Sequence, residues 1–336
     1  MPAEFQPRRL RRRAAVVVLA ISALVLIALL APGLSDVRDM LENASPGWLV
    51  VAVLLELASC ASYVPIFRPV FCTRMPWRRS WLIGLSEVAT GSIVPASGAG
   101  GLALGAWVLS RDGMPADRIA RRSVAFFLIK SSVNFVAVAL IGAALAVGLI
   151  GPHVSLWGSA LPAALSVLTI AAVLLVPRLG PGERPGPDAG RLRRGVSAAR
   201  RSLIGGTAEA IQLVRSRDAT LLFGAFGYWA FDNAALLATY AAVGHTPPLS
   251  IVLMGYLIGQ LGGLLPLPGG VGGIDGGLIG VLVLYGAPLA STVAAVLAYR
   301  LILFWVPLLV GAPAFVALWR QLGGRPADRA PTATPG

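Results

Sequence analysis

Apolar residues run through this chain in long blocks, and polar residues collect between them. The stretches 14–34, 48–67, 124–150, 161–176, 219–243 and 289–319 are nearly unbroken series of Ala, Leu, Val, Ile and Phe. Most reach the roughly 20 residues that cross about 30 Å of hydrocarbon as a helix. Inside a bilayer a backbone must satisfy its own hydrogen bonds, so these blocks predict membrane-spanning helices. Two further apolar regions are interrupted. Residues 81–109 break at Pro95-Ala96-Ser97-Gly98-Ala99-Gly100-Gly101, and residues 249–284 break at Pro266-Leu267-Pro268-Gly269-Gly270-Val271-Gly272-Gly273, with Asp275 next. Proline lacks an N–H and clashes with the preceding turn, and each glycine costs a helix interior about 1 kcal/mol against alanine. Neither break continues as a single helix. Between the blocks, Leu192, Val196, Ala199 and Leu203 recur at helical spacing beside Arg193, Arg194, Arg200 and Arg201. That pattern predicts an amphipathic helix on the membrane surface, with a solvated basic linker as the alternative.

Composition agrees with the pattern. Of 336 residues 56% are hydrophobic and only 13% charged, which excludes an ordinary soluble domain and leaves one polytopic, all-α integral membrane domain. The net charge of +13 does not indicate a nucleic-acid partner, because the arginines lie in loops between apolar blocks rather than on one soluble face. Cys60 sits in an apolar block and Cys72 in a basic loop, so no structural disulfide is expected. The five arginines of residues 1–13 followed by an apolar block resemble a secretory signal. The block is longer than a signal core and lacks a small-x-small cleavage site, so it reads as a retained first span.

The arginines also choose a topology. If both interrupted regions crossed the membrane, the loop with Arg111, Arg118, Arg121 and Arg122 would face away from the loop with Arg68, Arg74, Arg78 and Arg79. If each is re-entrant, the N-terminus, loops 68–80, 110–122 and 177–218 and the C-terminus share the cytoplasmic side and hold 25 of the 28 Lys and Arg residues. The positive-inside rule selects this second arrangement. The expected fold is six transmembrane helices plus two re-entrant helical hairpins in the cell membrane, with both termini cytoplasmic. Residues 1–13 form a basic tail, 14–320 the integral domain and 321–336 a disordered cytoplasmic tail. An offset of 173 residues superposes Glu87 on Gln260, Pro95 on Pro268, Gly100 on Gly273, Gly113 on Gly286 and Pro115 on Pro288. The units 48–150 and 219–319, joined by the basic segment 177–218, then form a pseudo-inverted repeat, the sequence pointer to a transporter site near the midplane.

Candidate chemistry gathers at the breaks. The second half-helix of each hairpin begins within its glycines, and its unpaired N–H groups carry the positive end of the helix dipole. Pro95, Gly98, Gly100 and Gly101 in the first hairpin and Pro268, Gly269, Gly270, Gly272 and Gly273 in the second are therefore candidates for holding an anionic headgroup. The competing reading is close helix packing on small residues. Six ionisable side chains lie within apolar stretches: Glu56, Glu87, Lys130, Asp232, Asp275 and Arg300. Facing lipid, each would cost at least about 2.5 kcal/mol at a helix centre, so they should face one another or a cavity. Arg300 lies roughly 16 Å into its span, too deep to snorkel, and Asp275 is its preferred partner. Glu87, Lys130, Asp232 and Glu56 are candidates for coupling or counter-charge, or for structural ion pairs. His153 and His245 have no companion ligands, so neither a metal nor a cofactor is expected.

The run Leu264-Leu265-Pro266-Leu267-Pro268-Gly269-Gly270-Val271-Gly272-Gly273-Ile274-Asp275, followed by Tyr285-Gly286-Ala287-Pro288, Tyr299-Arg300-Leu301 and Phe304-Trp305-Val306-Pro307, resembles the transmembrane region of the lysylphosphatidylglycerol synthase family, also called flippase-like or UPF0104 proteins. Residues 95–101 resemble the family's earlier proline/glycine motif, and the likeness covers roughly 48–319. The family's usual glutamate is replaced here by Asp275, a shorter carboxylate. The resemblance implies movement of an anionic, aminoacylated or polyprenyl-linked lipid between leaflets. Only 17 residues follow Trp319, so the soluble aminoacyl-transferase domain of two-part members is not expected, nor is enzyme activity. The basic segment 191–217 would rest on anionic inner-leaflet lipids. The alternatives are a membrane-embedded lipid-modifying transferase or its accessory subunit, with Asp275 or Asp232 as base, and a non-transporting scaffold.

Overall fold

The computed structural model describes residues 7–30, 35–71, 73–93, 99–152, 154–180, 190–259 and 273–323, and among them every regular element is helical. In chain order these are α1 (Pro7–Leu30), α2 (Ser35–Glu42), α3 (Pro46–Phe71), α4 (Trp77–Ile93), α5 (Ala99–Arg111), α6 (Ala116–Ala146), α7 (Leu156–Leu175), α8 (Arg191–Arg215), α9 (Ala219–Ala242), α10 (Leu249–Gly259), α11 (Gly273–Leu284) and α12 (Leu289–Gly323), with a 3-10 turn, Val176–Leu179, closing α7. Five stretches are long and apolar enough to cross a bilayer: Pro46–Phe71, Ala116–Ala146, Leu156–Leu179, Ala219–Ala242 and Leu289–Leu322. They match five of the six expected spans. The sixth falls on α1, which carries the N-terminal arginine cluster at its start. The protein is a multi-pass membrane protein.

Several boundaries differ from the sequence expectation, each for a local reason. The basic loop 110–122 shrinks to residues 112–115, turned by Gly113 at φ 87° and followed by Pro115 at the N-cap of α6. Arg111 closes α5, and Arg118, Arg121 and Arg122 become part of α6, where Arg121 and Arg122 reach Glu209 and the Arg122 guanidinium donates to the Val70 carbonyl at 2.6 Å. The far end of α6 stops at Ala146 rather than 150, closed by the left-handed Gly148 at φ 71°. Residues 191–215 are a helix, which overturns the linker alternative. The first half of α8 is largely exposed, held by an Arg200 guanidinium that donates to the Leu179 carbonyl at 3.3 Å. The second half docks on α6 through Ile204, Thr207 and Ala210, and a side chain at Gly206 would sit 2.6 Å from the Arg121 carbonyl oxygen.

At the centre α3 runs antiparallel to α9. Gly224 lies against Pro65 and Ile66, Gly227 against Ser62, and the Ser59 hydroxyl donates to the Tyr228 carbonyl at 3.1 Å. Small residues let the two backbones approach, as in other membrane interfaces. The two short-helix pairs are also antiparallel. Gly101 and Gly105 of α5 face Glu87 of α4, while Gly255 and Gly259 of α10 face Leu282 and Leu278 of α11. The start of α4 and the end of α5 are tied by Arg79 and Asp112 at 2.6 Å.

Shifting element starts by 173 residues moves α3 onto α9 and α6 onto α12 without remainder, and the end of α5 onto the end of α11. The helix pairing recurs, α12 with α4 and α6 with α10, although the residues in contact do not: Gly311 of α12 sits on Leu85 and Ala89 of α4, whereas Gly142 of α6 sits on Ser159 and Ala163 of α7 and near Met254 of α10.

Among the described residues the apolar core has two large clusters and a small one, in which Val17 and Ile21 of α1 meet Phe304 of α12. Of the large clusters one, around Phe67, Phe126, Ile119, Leu221 and Leu318, lies at the end where the basic loops meet; the other, around Leu145, Ile251, Leu282 and Val296, lies at the opposite end.

Candidate functional site

The ionisable residues of the apolar stretches lie between these two clusters. Glu56, Glu87, Asp232, Asp275 and Arg300 are all buried, and Lys130 is partly so. They form two groups. Asp232, near the middle of α9, accepts hydrogen bonds from the Tyr256 hydroxyl of α10 and, at 2.5 Å, from the Tyr299 hydroxyl of α12. Glu56 of α3 lies within electrostatic reach of Asp232 and accepts a weak bond from the Cys60 thiol at 3.6 Å. Lys130 of α6 stands 5.1 Å from the Tyr228 ring centroid, over the face that attracts cations. It is also within electrostatic reach of both Asp232 and Glu87. On α4, Glu87 accepts from the Tyr63 hydroxyl at 2.7 Å. Helices from both halves of the chain thus contribute to one polar layer.

The second group is the pair expected from depth alone. Asp275 lies in the first turn of α11, and its Oδ2 is 3.5 Å from Nε of Arg300 on α12. Both side chains are about nine-tenths buried. A carboxylate at that position complements the helix dipole, and the guanidinium complements the carboxylate. Consecutive residues of α12 join the two groups. Positions 299 and 300 point roughly 100° apart on a helix, so Tyr299 turns to Asp232 while Arg300 turns to Asp275.

The glycines divide differently. Pro95, Gly98, Pro268, Gly269, Gly270 and Gly272 lie outside the described residues. Gly100 falls in the first turn of α5, and Gly273 opens α11 and is buried. Gly101 has a packing reason for lacking a side chain: its Cβ would stand 2.4 Å from the Glu87 carbonyl oxygen. Gly105, not singled out by sequence, is held more tightly still, since a Cβ there would fall 1.5 Å from Glu87 Oε1.

Sequence reasoning also missed the tyrosines. Four of the six in the chain, Tyr63, Tyr228, Tyr256 and Tyr299, contact the buried charges. A hydroxyl-tipped ring in an otherwise aliphatic block was the available signal, because such a ring needs a partner once buried.

Comparison with known proteins agrees with this architecture. Residues 15–311 match the lysylphosphatidylglycerol synthase TM region. A UPF0104 membrane protein of Methanothermobacter thermautotrophicus is 26% identical, the match covering 94% of this chain and 96% of that protein. With the family region spanning nearly all of the bundle just described, the chain belongs to the lysylphosphatidylglycerol synthase transmembrane-region family.

Proposed function

We propose that the protein moves a lipid headgroup between leaflets, as a flippase-type transporter and not as an enzyme. The observation that carries this reading is the buried Asp275–Arg300 pair, set where a helix too short to cross the bilayer begins. At roughly 16 and 18 Å, α10 and α11 fall short of the hydrocarbon thickness and lie side by side. We read them, and α4 with α5, as re-entrant hairpins within a six-span inverted repeat. The antiparallel packing of the offset-related α3 and α9 supports that reading, and so does the Arg79–Asp112 tie between the two legs of the first hairpin. The basic ends and both termini are then cytoplasmic in a cell-membrane protein, with α8 against anionic lipid.

The pair presents one cation and one anion side by side, with Nε and Oδ2 3.5 Å apart. A lipid phosphate can take Arg300, and the ammonium of an aminoacylated headgroup can take Asp275. Lys130 and Glu87, deeper in the polar layer, offer the same two charges a second time. A phosphatidylglycerol-type, aminoacylated or polyprenyl-linked lipid fits this chemistry. The test is leaflet transfer of a fluorescent phosphatidylglycerol in proteoliposomes. Asp275→Asn and Arg300→Ala should each abolish transfer while expression stays intact. Transfer at the wild-type rate in both variants would overturn the site, and a new covalent lipid species in extracts of expressing cells would favour a transferase.

A further inference from the structure

A second feature lies apart from the polar layer. Between α7 with its closing 3-10 turn and the second half of α8 runs a groove of about 680 Å³, within the usual range for ligand sites. Each wall is one complete helix face. Ala171, Leu174, Leu175 and Arg178 follow one another at positions i, i+3, i+4 and i+7, and Ala208, Ile211, Gln212 and Arg215 repeat the spacing. Each face is mostly apolar and ends in an arginine.

Charge and exposure narrow the occupant. Among the described residues the lining contains no carboxylate, and Glu209 of α8 is turned away to Arg121 and Arg122. Among the described residues neither Arg178 nor Arg215 has an ion-pair partner. The α7 stretch is the least covered of the five spans, with 17% of its apolar window buried, so this wall borders lipid. It also lies at the end where the basic loops meet, at headgroup depth. Apolar walls beside lipid with two guanidiniums at their ends match a molecule with acyl chains and a phosphate. Basic pockets between spans are a known way of holding anionic headgroups.

We propose that the α7–α8 groove is a lateral binding site for one anionic phospholipid. Arg178 and Arg215 hold its phosphate, and Leu174, Leu175 and Ile211 carry the upper acyl chains. Gln212 is placed to donate to the glycerol or ester oxygens. This site is separate from the Asp275–Arg300 pair and does not depend on transport.

Native mass spectrometry of the full chain in detergent, titrated with phosphatidylglycerol or with phosphatidylcholine of the same chains, tests it. One phosphatidylglycerol should be retained in preference to phosphatidylcholine. The double variant Arg178→Gln/Arg215→Gln should weaken retention roughly 10- to 30-fold. The control Arg193→Gln/Arg194→Gln, at exposed positions outside the groove, should leave it unchanged. A phosphatidylglycerol with a photoactivatable acyl chain should label 171–178 and 208–215. Equal retention of the two lipids, an unaffected double variant or labelling elsewhere would each overturn the proposal. Full displacement by excess inorganic phosphate would do the same by making this a free-anion site, and a dimer that shields the groove from label would make it a protein interface.

Discussion

Gly101→Ala separates close packing from ligand approach at the first hairpin. The new Cβ would stand 2.4 Å from the Glu87 carbonyl oxygen and 3.0 Å from its carbon. Both are backbone atoms, so no side-chain rotation relieves the clash, and α4 and α5 must part by about 1 Å to restore ordinary contact. A gap of that size forfeits about a quarter to a half of each pairwise contact, each worth roughly 0.1–0.2 kcal/mol. Over an interface equivalent to one buried leucine, some 40–60 contacts, the loss is about 2–4 kcal/mol. Alanine returns about 1 kcal/mol of helix propensity. The net cost is about 1–3 kcal/mol, the usual range for overpacking, and should lower the melting temperature of the detergent-solubilised protein by about 1–4 °C. Gly280→Ala is the matched control: its Cβ would meet nothing within 4 Å, so it should melt at or slightly above the wild-type temperature. If Gly101→Ala melts no lower than Gly280→Ala, the two helices are not in the contact described and the packing argument fails.

Three further outcomes follow from the same geometry. Tyr256→Phe and Tyr299→Phe each remove one hydroxyl from Asp232 and should each cost about 0.6–1.7 kcal/mol in thermal unfolding. Both costs should vanish in an Asp232→Ala background, which removes the acceptor, if the hydroxyls act through that carboxylate, and additive losses would refute the link. Asp218→Ala removes the side chain that accepts from the N–H groups of Thr220 and Leu221 at the start of α9 and should cost about 0.5–2 kcal/mol, with Asp218→Ser restoring most of it. Glu209→Ala releases Arg121 and Arg122 from α8. Hydrogen exchange across 191–215 should then quicken while α3 and α9 stay protected; unchanged exchange would show that α8 is held by Ile204, Thr207 and Ala210 alone.

The sequence showed what depends on composition along a line and hid what depends on direction around a helix. Apolar blocks located five spans because a bilayer demands a minimum run of apolar residues. Depth also paired Asp275 with Arg300, since neither can reach water from its place in the chain. The partners of Asp232 were not legible. Tyr256 and Tyr299 sit 24 and 67 residues away, and only the packing of α10 and α12 turns their hydroxyls to one carboxylate. The second half of α8 differs from the first in holding one arginine, Arg215, against five, but that contrast does not name the helix it docks on. The glycine pair at Gly205 and Gly206 is what admits α6 closely enough to dock the second half. Gly105 escaped notice because it lies outside the proline/glycine cluster, although its contact with Glu87 is the tighter one.

The scaffold repeats and the chemistry does not. At the offset that maps α3 onto α9 and α6 onto α12, the helix limits recur and so does the pairing of helices, α4 with α12 and α10 with α6. The charged residues do not: Asp232 corresponds to Ser59, Asp275 to Leu102, Arg300 to Phe127, Lys130 to Leu303 and Glu56 to Trp229. Nor do the tyrosines, since Tyr63 corresponds to Leu236, Tyr256 to Ile83 and Tyr299 to Phe126. Repetition therefore serves helix packing, which needs only small residues and length, and a second set of buried charges would add desolvation cost without a new partner. Among the described residues α12 reaches both groups, through Tyr299 and Arg300. The polar layer thus lies at the junction of two similar halves. A displacement of α12 reaches Asp232 and Asp275 together, which makes the junction, not either half alone, the unit that the proposed headgroup binding would use.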